Sequence, residues 1–124
     1  MKIRVYYDDT DAGGIVYHAN YLKYCERARS ELFFQRDKMP TLGGAHFVVK
    51  HIDAEFIKPA KLGDMIEVRY KTIYLKNASM KLYQSIWKED TLLFEMTSVL
   101  VYVKNERPIK IDNDMRLFLT SLHL

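Results

Sequence analysis

The chain has a single cysteine, Cys25, so no intramolecular disulfide can form and a disulfide-stapled scaffold is excluded. No apolar run approaches the ~20 residues that a membrane span needs. The first residues, MKIRVYYDDT, also lack the apolar core of a secretory signal. We therefore expect a soluble, cytoplasmic protein with no membrane span. No dense Lys/Arg block occurs either. The 19 basic and 16 acidic residues leave a formal charge of +3, too mild for a nucleic-acid arm. No nucleic-acid partner is expected, and a small anionic ligand suits that charge at least as well. Repeats, low-complexity segments and linkers are missing. With 124 residues, 48% hydrophobic and 28% charged, the sequence fits one globular domain over residues 1–124.

Short β-rich runs make up most of what is present. KIRVYY ends at an acidic cluster and predicts a first strand from Ile3 to Tyr7. Tyr21, Cys25, Ala28 and Leu32 follow at i, i+4, i+7 and i+11, the spacing of an amphipathic helix. Asn20 is a good N-cap for it, and the helix must end before Pro40 and the Gly43-Gly44 pair, which leaves roughly seventeen residues. From Ala45 onward, turn residues separate four further strands, and the alternation of Ile66, Val68 and Tyr70 with Glu67, Arg69 and Lys71 marks them as antiparallel with one face covered. After Pro108, Asp112 or Asn113 caps a short helix with Met115, Phe118, Leu119 and Leu122 on one face. One long helix against an antiparallel sheet is a two-layer α+β solution. A face of that helix stays only partly buried without a second copy, so a dimer is expected.

The chemistry concentrates in Asp8 to Tyr21, DDTDAGGIVYHANY. A calcium loop of the EF-hand type fails on spacing. Counted from Asp9, position 5 is Gly13 and position 12 is Asn20; counted from Asp8, positions 3, 5 and 12 are Thr10, Ala12 and Ala19. His18 has no second histidine nearby, and His46 and His51, five apart on a strand, are expected on opposite faces. No metal site and no cofactor is expected. The glycines are not followed by Gly-Lys-Ser/Thr, and no G-x-G-x-x-G occurs, which removes the common nucleotide loops. What survives is a carboxylate on a tight loop that feeds a helix start. Gly13 and Gly14 let the backbone approach a ligand, and the first N–H groups of the helix point outward with the positive end of its dipole. Asp11 beside such donors supplies the parts of an acyl-transfer site. Asp and Asn before a helix are also ordinary caps, and Gly-Gly an ordinary turn. On spacing alone both readings stand.

DTDAGGIVYHANYLKYCERAR, from Asp9 to Arg29, resembles the signature of hotdog-fold acyl-CoA thioesterases of the 4-hydroxybenzoyl-CoA thioesterase class, and most closely the YbgC-like branch found with Tol-Pal envelope genes. The likeness includes the Asp-x-Asp pair, Val-Tyr-His, Asn20-Tyr21, and Glu26 with Arg29. It implies a five-stranded antiparallel sheet wrapped around a long central helix, with a short C-terminal helix. It also implies homodimers joined edge to edge and pairing into homotetramers, with active sites at the subunit interface; the strand from His46 to Ile57 is the expected joining edge. Carried over by position, the resemblance makes Asp11 the catalytic carboxylate and places the carbonyl-polarising N–H at His18, whose side chain is a second catalytic candidate. Tyr7 is then set to orient Asp11 or a water. The substrate implied is an acyl-CoA, with acyl carrier protein thioesters as alternative donors and the cell-envelope complex as a further partner. A hotdog hydratase, or a non-catalytic acyl-CoA sensor or envelope adaptor, is the competing reading.

Other residues have plainer roles. Cys25 lies on the apolar helix face and is expected to be packing. Glu26 and Arg29, three apart, are by default an ion pair. Lys58, Lys61 and Arg107 stand in turns or at a strand end, where solvated cations are common. Tyr17, Tyr21 and Tyr24, with Phe33 and Phe34, offer lining for an acyl channel, of which Tyr17 is the substrate-binding candidate beside Gly13 and Gly14. Aromatic residues on a helix are first of all core.

Overall fold

The computed structural model describes residues 1–41 and 43–122. Strand β1 covers only Lys2–Arg4, shorter than expected, because the chain then bends into a 3-10 turn at Tyr7–Asp9. The bend is held by its own polar groups: the Tyr6 N–H donates to Asp9 Oδ2 at 2.9 Å, and the Asp9 N–H donates to the Tyr6 carbonyl at 3.0 Å.

Helix α1 runs over His18–Phe34, seventeen residues or about 25 Å. Its N-cap is Tyr17, which makes no side-chain cap bond, so the expected cap at Asn20 is corrected. The Asn20 amide is engaged elsewhere, donating to the Asp9 carbonyl at 2.8 Å. Tyr21, Tyr24, Cys25 and Phe33 are buried, and Ala28 and Leu32 half-buried, along the predicted stripe.

The strands β2 (Ala45–Phe56), β3 (Met65–Leu75), β4 (Ser79–Lys88) and β5 (Thr91–Lys104) follow, with the two-residue β6 (Arg107–Pro108). All pairings are antiparallel in the order β1-β3-β4-β5-β2, and β6 adds to β5. Helix α2, Asn113–Thr120, is capped by Asp112, whose Oδ1 accepts from the Met115 N–H at 2.8 Å. A curled antiparallel sheet against one long helix is the hotdog arrangement. Strand β2 is an edge, bonded to β5 on one side alone among the described residues. A bulge between Val49 and His51 shifts its register, so His46 and His51 lie opposite Val103 and Val99. These two β5 positions share parity, and the expectation of opposite faces for the two histidines is corrected: the extra residue restores them to one face.

The core is in two parts. One gathers Val5, Val16, Tyr21, Tyr24, Cys25, Ile66, Ile86 and Phe94 around the first half of α1. The other gathers Phe33, Leu82, Leu100, Tyr102, Ile111, Met115 and Phe118 around its end and α2. Between them lies a polar crossing. Arg29 donates to Gln84 Oε1 at 2.8 Å and Gln84 Nε2 donates to the Cys25 carbonyl at 2.9 Å. Gln84 is 1% exposed, in the β4 series Met80, Leu82, Gln84, Ile86 that faces the core. The crossing replaces the expected Glu26–Arg29 ion pair, which does not form among the described residues. A buried amide with both ends satisfied is stable where a lone one is costly.

Candidate active site

The loop from Asp8 to Tyr17 is built as a small hairpin on the mouth of α1. Thr10 and Val16 form an antiparallel bridge, the Asp11 N–H donates to the Ile15 carbonyl at 2.9 Å, and the Gly14 N–H returns to the Asp11 carbonyl at 3.0 Å. Gly14 takes φ 78°, a conformation that side chains disfavour. Asp11 therefore sits at the tip of a closed turn. Its Oδ1 accepts the Gly13 N–H at 2.8 Å, and a Cβ on Gly13 would stand 3.2 Å from that oxygen. The second glycine of the pair serves the turn, and the first serves the carboxylate.

Two sets of bonds anchor this hairpin. The Asp9 carbonyl accepts both the Tyr17 N–H at 2.9 Å and Asn20 Nδ2 at 2.8 Å, which fixes the loop to the helix start. On the other side the Val16 N–H donates to the Ala60 carbonyl at 2.9 Å, while the Ala60 N–H donates to the buried Tyr21 hydroxyl at 3.0 Å. Burial pushes the Tyr21 hydroxyl up from its ordinary value, only partly opposed by that Ala60 bond. The Tyr24 hydroxyl, one turn further on, has no partner of good geometry among the described residues. It is driven up first by burial and then by the Asp9 carboxylate beside it. Asp9 is thus the structural acid of the Asp-x-Asp pair and Asp11 the exposed one.

The helix start is open. The Asn20 N–H reaches the Tyr17 carbonyl at 2.9 Å, but the N–H groups of His18 and Ala19 meet no acceptor among the described residues. With no hydrogen bond from the Tyr17 side chain to cap them, they are donors at the positive end of the helix without an acceptor among the described residues. The His18 ring is exposed and leans on Tyr17, centroids 4.4 Å apart, with the edge of Phe56 at 6.4 Å. Phe56 in turn packs on Tyr21 and Phe94, so the end of β2 adjoins the loop.

Of the residues singled out by sequence, Asp11, Gly13 and Gly14 form one turn and Tyr17 and His18 the helix start behind it. Tyr7 stands apart: its side chain is 82% exposed and makes no hydrogen bond among the described residues. Its carbonyl is what the loop uses, accepting the Thr10 N–H and hydroxyl at 3.2 and 3.1 Å. Cys25 is fully buried, and burial raises its thiol to about 12, so it is no nucleophile. Sequence reasoning missed the Tyr21–Ala60 lock and the Arg29–Gln84 crossing. The first had no local signal, and the second was signalled by a glutamine inside an otherwise apolar alternating series.

Residues 13–95 match the family model of the thioesterase superfamily, which begins two residues after Asp11. An acyl-CoA thioesterase YbgC of Helicobacter pylori is 49% identical over 87 residues, covering 70% of this chain and 65% of that protein. An acyl-CoA thioester hydrolase YbgC of Escherichia coli is 38% identical over 104 residues, covering 80% and 76%. Among solved structures, a probable thioesterase from Bartonella henselae superposes with a TM-score of 0.84 at 29% identity, covering 90% of this chain and 97% of that one.

Proposed function

Because the chain belongs to the thioesterase superfamily, we propose that it hydrolyses acyl-CoA thioesters at the Asp11 loop. The observation that carries this reading is the pairing of an exposed carboxylate, held through Gly13, with the uncapped N–H groups of His18 and Ala19 at the helix start.

So sparse a site is chemically sufficient. A coenzyme A thiol resembles a cysteine thiol, with a pKa of about 8.5, and leaves as a thiolate with little help from an acid. The carbonyl oxygen takes its developing charge to the helix N–H groups. Asp11 has one oxygen occupied by Gly13 and the other available. That oxygen either removes a proton from the attacking water or attacks the carbonyl carbon itself. In both routes a C–O bond forms, the C–S bond breaks, and the acid and thiol are released. The His18 ring, exposed beside these donors, flanks the carbonyl, and Tyr17 and Phe56 offer the apolar approach to it. Acyl carrier protein thioesters present the same group and are alternative donors. The cytoplasm, where acyl-CoA is made and used, is the compartment that fits.

The outer edge of β2 supports a paired assembly. Val48, Val49, Ile52 and Phe56 are exposed along this twelve-residue strand, and a long bare edge of that kind is satisfied by a second copy continuing the sheet. Such dimers then associate into tetramers. Replacing Ile52 with proline should leave a monomer by light scattering.

The catalytic assignment is tested by Asp11→Asn. Its kcat for thiol release should fall by ~10²-fold or more, the scale of a lost general base, with a much smaller change in KM. Near-normal turnover would sink the assignment. Label found in the Asp11 carboxylate after a single turnover in ¹⁸O water would identify nucleophilic attack with hydrolysis at the Asp11 carbon of the anhydride, since a general base gains no label.

A further inference from the structure

Tyr21 stands in the first turn of α1, on the same helix start that offers the His18 and Ala19 N–H groups. Its ring is buried and clamped. It stacks on Phe94 with centroids 5.0 Å apart and an interplanar angle of 14°, and it meets Phe56 and Tyr24 edge-on at 5.6 and 6.3 Å. The core therefore sets where the Tyr21 hydroxyl lies. That hydroxyl accepts the Ala60 N–H at 3.0 Å. Ala60 is fully buried, so without the hydroxyl its N–H would be a donor with no water to turn to. The Ala60 carbonyl accepts the Val16 N–H at 2.9 Å. Ile15 bridges to Lys61, and the Leu62 N–H donates to the Gly14 carbonyl at 3.3 Å, so the segment from Ala60 to Leu62 lies along the returning arm of the Asp11 hairpin.

A path of hydrogen bonds thus runs from the helix through Tyr21 and Ala60 to Val16, and Val16 bridges to Thr10, the residue before Asp11. Asn20 ties the entering arm of the hairpin to the helix through the Asp9 carbonyl; Tyr21 ties the returning arm to the same turn. The two parts of the site, the carboxylate and the helix N–H groups, are spaced by these ties, and a small misplacement between them is costly in rate. We propose that Tyr21 is a positioning residue for thioester hydrolysis: its hydroxyl, acting through Ala60, holds the Asp11 turn at a fixed distance from the N–H groups of the helix start. In this role Tyr21 touches neither the substrate nor the reacting atoms. The role rests on the reading of Asp11 as the reacting carboxylate, but the hold on the hairpin is measurable without turnover.

The test compares Tyr21→Phe with Tyr102→Phe in the full chain. Each variant keeps a buried ring and loses one bonded hydroxyl; that of Tyr102 donates to Asp112 Oδ2 at 3.2 Å in the other part of the core. Tyr21→Phe adds no atoms and keeps the Phe94 stack, so it folds. With hexanoyl-CoA, its kcat for thiol release should fall about tenfold while KM stays within about twofold of the parent's. Tyr102→Phe should leave both constants within about twofold, since a merely structural bond of the same kind does not reach the site. Amide exchange followed by NMR should quicken at least tenfold at Asp11, Gly14 and Val16 in Tyr21→Phe and stay unchanged at Ala28 and Leu32 of α1. Parent-like kcat in Tyr21→Phe, an equal fall in both variants, or exchange that quickens alike in the hairpin and α1 overturns the proposal. A parent chain that releases no thiol from acetyl-, hexanoyl- or palmitoyl-CoA loses the hydrolysis reading, and amide exchange alone then decides whether Tyr21 holds the hairpin.

Discussion

Asn20 Nδ2 donates to the Asp9 carbonyl at 2.8 Å, joining the first turn of the helix to a residue eleven positions earlier. The residue whose type suggested a helix cap instead holds the loop that carries Asp11. Asn20→Ala should cost about 1 kcal/mol of stability, the value of one neutral hydrogen bond. Its kcat for thiol release should fall about tenfold, because the carboxylate loses its fixed position. Melting curves and thiol-release kinetics on the same preparation check both numbers, and a stability loss without a kcat loss would confine Asn20 to folding.

The adjacent glycines should respond differently to the same added methyl group. In Gly13→Ala the new Cβ presses on Asp11 Oδ1 from 3.2 Å. A displacement of a few tenths of an ångström should lower kcat about tenfold with little change in stability. Gly14 has open space around it but a φ of 78°. Gly14→Ala should therefore lose about 1–2 kcal/mol through backbone strain, visible as a lower melting temperature.

Acid should weaken one tie beneath the site. Burial alone would raise the Asp64 carboxyl, but the Lys61 N–H and the Lys88 ammonium, each at 2.9 Å, hold it below its ordinary 3.8. A depressed carboxyl contributes stability that is fully present above its unfolded pKa and is lost as the pH falls through its folded one. The difference in urea midpoint between the parent chain and Lys88→Met should be constant at neutral pH, worth no more than ~1 kcal/mol for so exposed a lysine. It should vanish below pH 3.8 as Asp64 protonates.

The β5–β6 hairpin turns on Asn105 and Glu106, both at positive φ, 51° and 63°. A two-residue turn of this kind favours Asn-Gly, since asparagine tolerates the left-handed region and glutamate does not. Glu106→Gly should raise stability by about 1 kcal/mol, reduced by the greater freedom of glycine in the unfolded chain. Thermal unfolding, with kinetics unchanged, is the check.

The long helix, the strands after Ala45 and the terminal helix were legible because each repeats an apolar period over many residues. The tight turn that carries Asp11 was legible because Gly13 and Gly14 follow the carboxylate so closely before the helix. The end of β1 was not, since Val5, Tyr6 and Tyr7 look like strand until the Asp9 carboxylate takes the Tyr6 N–H. Asn20 was misplaced for a related reason: a good cap residue is also a good donor to a distant carbonyl, and composition does not choose between them. The bulge beside Lys50 inverts the face of everything after it without any glycine or proline to announce it. The cavity beside α2 is lined by residues from six separate elements, α1, β2, β3, β4, β5 and α2, and its polar members had local explanations of their own.

The Arg29–Gln84–Cys25 crossing has an evolutionary consequence. It separates the packing around the Asp11 loop from the packing around the cavity, so that few side chains belong to both. Substitutions on opposite sides should combine additively. A lineage can then repack the half of the core around α2, one leucine at a time, while the packing that holds the Asp11 loop is inherited unchanged.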